Sequence, residues 1–186
     1  MNDVFKVADY IVKYCNEHNI SITHSKLQSL LYFVQAEFLM SFNEPCFTDT
    51  MVALPYGPAV SSVLEHYEQY GIQELKSYNY SKSDLNHIKN INTVLKTIAK
   101  SSASELTDVT QNQSPWRDAY LHGVGTEITT SSIKNFFKDD SENYVDQLMF
   151  WSKLHWFSLY TCSCHVRVWS CTGLVIYRCK NKWNTC

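Results

Sequence analysis

Apolar residues recur at intervals of three and four through most of the first 150 positions, the spacing of helices that bury one face. Val4, Val7, Ala8, Ile11, Val12 and Cys15 form the first such stripe, which predicts a helix capped by Asp3 and ending near Glu17. After a turn over 19–23, Leu27, Leu30, Leu31, Val34, Phe38 and Leu39 mark the strongest helix, begun by Thr23 or Ser25 and stopped by Asn43, Glu44 and Pro45. Its apolar face is wide enough for the centre of a helical core. Met51 to Leu54 is a short apolar run before Pro55, enough for one small strand. Pro55, Tyr56, Gly57 and Pro58 then read as a strand-to-helix corner, with Pro58 at the first helical position and Gly57 taking a backbone shape other residues resist.

Beyond the corner, Val60, Val63, Leu64, Tyr67 and Tyr70 share a helical face that Gly71 is placed to end. Residues 77–83 are polar and tyrosine-rich, a loop by composition. Leu85, Ile88, Val94, Leu95 and Ile98 predict a helix of about four turns. Ser102 followed three residues later by Glu105 predicts a capping box, and Thr110 to Pro115 a polar loop leading into Trp116. Thr130 is the expected cap of a helix through Ile133, Phe136 and Phe137, and Tyr144, Val145, Leu148 and Met149 suggest one more. The fold class expected is therefore mainly α: a compact domain of five to seven helices with one or two short β-strands over residues 1–150, and an atypical tail after it.

Charge makes the tail distinct. Residues 1–146 hold 11 basic and all 18 acidic side chains, a net −7, whereas Lys153, Arg167, Arg178, Lys180 and Lys182 give the remainder +5. Four of the five Trp (151, 156, 169, 183) and five of the seven Cys (162, 164, 171, 179, 186) also lie there, so residues 151–186 are a separate basic, Cys- and Trp-rich segment. They are expected to be disordered, or a recent or out-of-frame extension. Over the whole chain the net charge is −2, which lacks the basic footprint of a nucleic-acid binder. The first ten residues contain Asp3, Lys6 and Asp9 and do not resemble a secretory leader, and no apolar run is long enough to span a bilayer; a cytoplasmic location is expected.

No catalytic motif stands out. Phosphate-binding glycine loops, nucleophile elbows and HExxH pairs are all missing from the sequence, so neither an enzyme nor a cofactor is expected. His18 and His24 flank a turn and read as surface or capping residues; Asp139 and Asp140 read as a solvated helix start. Cys15 and Cys46 are isolated and suit plain packing. Cys162, Cys164, His165, Cys171, Cys179 and His155 supply zinc-type ligands, but without paired CxxC knuckles.

The run KLQSLLYFVQAEFL from Lys26 to Leu39, MVALPYGPAV from Met51 to Val60, ELTDVT from Glu105 to Thr110 and SPWRDAY from Ser114 to Tyr120 occur in an order and spacing that resembles the Panacea domain family of SocA-like and phage-associated GepA-like proteins. The resemblance covers residues 4–140. It implies a helical antitoxin domain, usually encoded beside its toxin and neutralising that cognate protein by direct contact. In the alternative carried by the SocA-like member, the protein is an adaptor delivering a bound toxin to a cytosolic protease. A reading of another class is a metal- or nucleic-acid-binding protein acting through the tail. Within the resemblance, Leu27, Leu30, Leu31, Tyr32 and Phe33 are expected to specify the core, and Tyr56, Gly57 and Pro58 the corner. Tyr56, Tyr67 and Trp116 are the candidate partner contacts. The family pattern has a histidine after the threonine before the tryptophan loop; here Gln111 follows Thr110, a departure at that position.

Overall fold

The computed structural model describes residues 1–71, 73–76 and 85–139. The expected loop over 77–83, the helix drawn from Tyr144 to Met149 and every tail reading lie outside the described residues. Among the described residues there are seven α-helices, a 3-10 turn and one two-stranded sheet: α1 (Val4–Glu17), α2 (His24–Phe42), β1 (Met51–Leu54), β2 (Gly57–Val60), α3 (Ser61–Tyr67) running into the 3-10 turn Glu68–Tyr70, α4 (Ile88–Ile98), α5 (Ala103–Gln111), α6 (Ser114–His122) and α7 (Thr130–Asp139). The mainly α reading holds.

The α2 helix is the axle. Every residue from Lys26 to Leu39 is buried, and the helix packs against α1, α3, α4, α5, α7 and β2. Thr23 caps its start by accepting from the Lys26 N–H, and Asn43 ends it in the left-handed region, where asparagine is tolerated. Leu27, Leu30, Leu31 and Tyr32 are completely buried, and Phe33 nearly so. A helix surrounded on all sides must also meet irregular backbone, and two glutamines on α2 do that. Gln28 Oε1 accepts from Val60 N at 2.8 Å; Gln35 Oε1 accepts from Cys46 N and Phe47 N, while its Nε2 donates to Phe47 O at 3.0 Å. Buried main-chain groups that no ladder serves are thus satisfied by side chains.

Several sequence expectations are corrected. Pro58 does not open a helix: residues 57–60 form β2, antiparallel to β1 with Val52 opposite Ala59 and Leu54 opposite Gly57, and α3 starts at Ser61. Pro58 is tolerated because β2 is an edge strand, where one missing N–H costs no ladder bond. The corner is a hairpin turned by Pro55 and Tyr56, and Gly57 at φ +114° supplies the positive φ that brings the chain back. The expected loop from Thr110 to Pro115 shrinks to Asn112 and Gln113, because α5 runs through Gln111 and α6 takes Pro115 into its first turn. Thr110, expected at the loop's start, is fully buried in α5 with its hydroxyl bonded to Thr107 O. The α4 helix spans three turns, with Leu85 ahead of it but still packed on the core. Thr129, rather than Thr130, caps α7 through Ser132 N, and Asp139 closes that helix instead of starting one. The Asp3 cap and the Ser102–Glu105 capping box are as expected.

Residues 125–128 run along the second edge of β1. Gly125 N donates to Ala53 O, Ala53 N to Thr126 O and Ile128 N to Met51 O, at 2.8 to 2.9 Å, with Glu127 bridged antiparallel to Val52. Gly125 and Thr126 both face Ala53, a bulge that Gly125 makes possible at φ +84°.

Candidate functional site

The hairpin tip is held from beneath by α5 and α6. Three consecutive carbonyls each accept one side-chain bond: Leu54 O from Trp116 Nε1 at 3.0 Å, Pro55 O from Gln111 Nε2 at 2.8 Å, and Tyr56 O from Thr107 Oγ1 at 3.3 Å. Helical spacing puts Thr107 and Gln111, four apart, on one face of α5, and the short link to α6 brings Trp116 alongside. That link is itself tied to the axle, since Tyr32 Oη donates to Gln113 Oε1 at 2.7 Å. Gly57 closes the approach: a side chain there would bring its Cβ to 3.3 Å from Thr110 Oγ1. Gln111, the position departing from the family pattern, is therefore a working member of this clamp.

The three candidate contact residues do not gather at one surface. Tyr56 stands at the tip and is 45% exposed. Trp116 is 9% exposed and stacks on Tyr120 at 4.6 Å, so it supports the tip from within. Tyr67 lies on α3, buried, with its hydroxyl donating to Asp9 Oδ1 at 2.7 Å; burial pushes its pKa up from the usual value. Near the tip in the fold, the end of α6 and the segment after it expose Leu121 and Val124, at 78% and 65%. Periodicity left both unremarked, because Leu121 sits off the buried stripe of α6 and Val124 lies in a turn.

Elsewhere, burial silences reactive groups. Cys15 and Cys46 are free and fully buried, and desolvation raises their thiols to about 11 and about 12. Lys26, in the first turn of α2, is 5% exposed and donates to Ser21 O at 2.9 Å; desolvation lowers its pKa. His18 caps α1 and stacks on Tyr14 at 4.1 Å, with its Nδ1 2.8 Å from Tyr14 O, and His24 begins α2 with Gln28 one turn on. Among the described residues no three His, Cys, Asp or Glu side chains cluster as metal ligands, and no helix is long and apolar enough to cross a membrane.

The described residues thus form a mainly helical domain with one clamped hairpin. Residues 27–117, from the first turns of α2 to the start of α6, match the family described as antitoxin SocA-like, Panacea domain. No curated protein and no solved structure matches the chain.

Proposed function

We propose that this protein is an antitoxin that neutralises a cognate protein toxin by holding it in a stable complex, with no catalytic step of its own. The observation that carries the reading is the match of residues 27–117 to the SocA-like antitoxin domain. Two features support it: the burial of the thiols and of Lys26, and the exposure of Tyr56 at the hairpin tip and of Leu121 and Val124 at and after the end of α6. The acidic excess of residues 1–146 suits a basic, nucleic-acid-directed toxin, whose approach it would steer. The complex forms in the cytoplasm through the helical body, and residues 151–186 are dispensable for it.

Co-expression with the product of the adjacent gene tests this. A neutraliser restores growth while toxin abundance stays constant, and the two proteins co-purify. Toxin that disappears during rescue, and persists when a cytosolic protease is removed, identifies the adaptor alternative instead. Failure of rescue together with failure to co-purify refutes both.

A further inference from the structure

The strand-like segment 125–128 has one side paired and one side open. Its bonds to β1 use Gly125 N, Thr126 O and Ile128 N. The alternation of an antiparallel ladder then turns the N–H and C=O of Glu127 away from β1. Among the described residues neither group has a partner, nor does the Thr129 N–H. Such an edge is a template for another extended chain.

Two hollows border it. One, of about 590 Å³ between α6 and α7, is lined by Asp118, His122, Glu127 and Phe136; the other, of about 270 Å³, by Asp49, Met51, Glu127 and Ile128. Thr129 lines both. Three carboxylates face these hollows, and among the described residues neither is lined by a lysine or arginine. Arg117 reaches Asp118 at 3.3 Å, but both side chains are more than half exposed, so water screens the pair and leaves Asp118 available to a second cation.

We propose that the 125–129 edge is where the toxin docks, by adding an extended, lysine- or arginine-bearing segment that bonds to the Glu127 main chain and lays a cationic side chain between Asp118 and Glu127. The occupant rests on the antitoxin reading above; the edge and its charge stand on this structure. The exposed edge is short, so main-chain pairing sets register while the hollows supply specificity. Phe136 offers the stem of a long cationic side chain an apolar surface, and the carboxylates meet its head.

The test uses the full chain and the product of the adjacent gene. In the complex, the Glu127 and Thr129 amides should exchange with solvent at least tenfold more slowly than in the free protein. The double substitution Asp118→Lys, Glu127→Lys should raise Kd at least tenfold, and Asp118→Lys alone, on an exposed helical site, should raise it in the same direction with an unchanged melting temperature. A complex in which those two amides exchange as fast as in the free protein overturns this docking mode, whatever the charge variants do, and leaves the antitoxin reading standing. If wild-type chain and toxin form no complex, both fall.

Discussion

The α2 axle and the hairpin tip are built on opposite principles. The axle is held by apolar area: from Lys26 to Leu39 it has no face for water, and its partners come from six other elements. The tip is held by direction, through three side-chain bonds onto three successive carbonyls, while Tyr56 remains 45% exposed. Area tolerates adjustment of individual contacts but fails badly when a charge enters. Direction fails one bond at a time. The same chain therefore has a core in which a substitution threatens the fold and a tip in which it alters what is presented.

The largest effects should come from the axle. Leu31→Asp should abolish folding, and Leu31→Ala should cost about 2–5 kcal/mol as a large-to-small change at a fully buried site. Urea unfolding measures this, and an unchanged midpoint for either would mean that the axle is not the core. Gln35→Ala should cost about 1–3 kcal/mol, since it strands the buried N–H groups of Cys46 and Phe47. A loss below that range would place water where the glutamine amide now sits.

At the tip, Gly57→Val should destabilise by about 1–3 kcal/mol, because it forces a β-branched residue to φ +114° against Thr110. Wild-type stability in that variant would show that the hairpin refolds around a different turn. Trp116→Phe keeps most of the ring but removes the side-chain donor to Leu54 O, at a cost of about 1 kcal/mol. Gln111→Ala should cost less than that, since Gln111 is only half-buried, and Gln111→His should restore part of the loss by supplying another ring N–H donor; equal stability of the two would remove Gln111 from the clamp.

The smallest effect concerns pH. The thiols of Cys15 and Cys46 ionise near 9.0 when exposed but near 11 and 12 when folded, so above pH 9 the unfolded chain releases protons that the native one keeps. Their contribution is complete below pH 9 and is lost as pH rises through 11 and 12. Alkaline unfolding at lower denaturant than at pH 8 should follow, and Cys15→Ala should flatten part of that slope.

Much of the axle was legible in the sequence and much of the tip was not. Leu27, Leu30 and Leu31 announce themselves because burial of a helix face imposes a period on residue type. Gln28 and Gln35 sit among them as polar interruptions, yet their partners, Val60 and Phe47, lie 32 and 12 residues away, and no local spacing encodes those bonds. The proline-glycine-proline run was recognisable as punctuation, but whether Pro58 opens a helix or enters an edge strand depends on β1 lying opposite, which is a tertiary fact. For the same reason Thr110 read as loop: a polar residue buried against Gly57 looks like a solvated one until its neighbour is known. At the candidate site, Tyr56 is named through the family resemblance and stands exposed at the tip, while the Glu127 edge was invisible because its chemistry belongs to the main chain.

The clamp at the tip grips carbonyl oxygens, which every amino acid possesses. Thr107, Gln111 and Trp116 therefore act as a mount that is indifferent to the identity of the residues it seats at 54, 55 and 56. Exchange of a side chain there leaves all three attachment points in place, so the surface at the tip can drift without the fold being renegotiated.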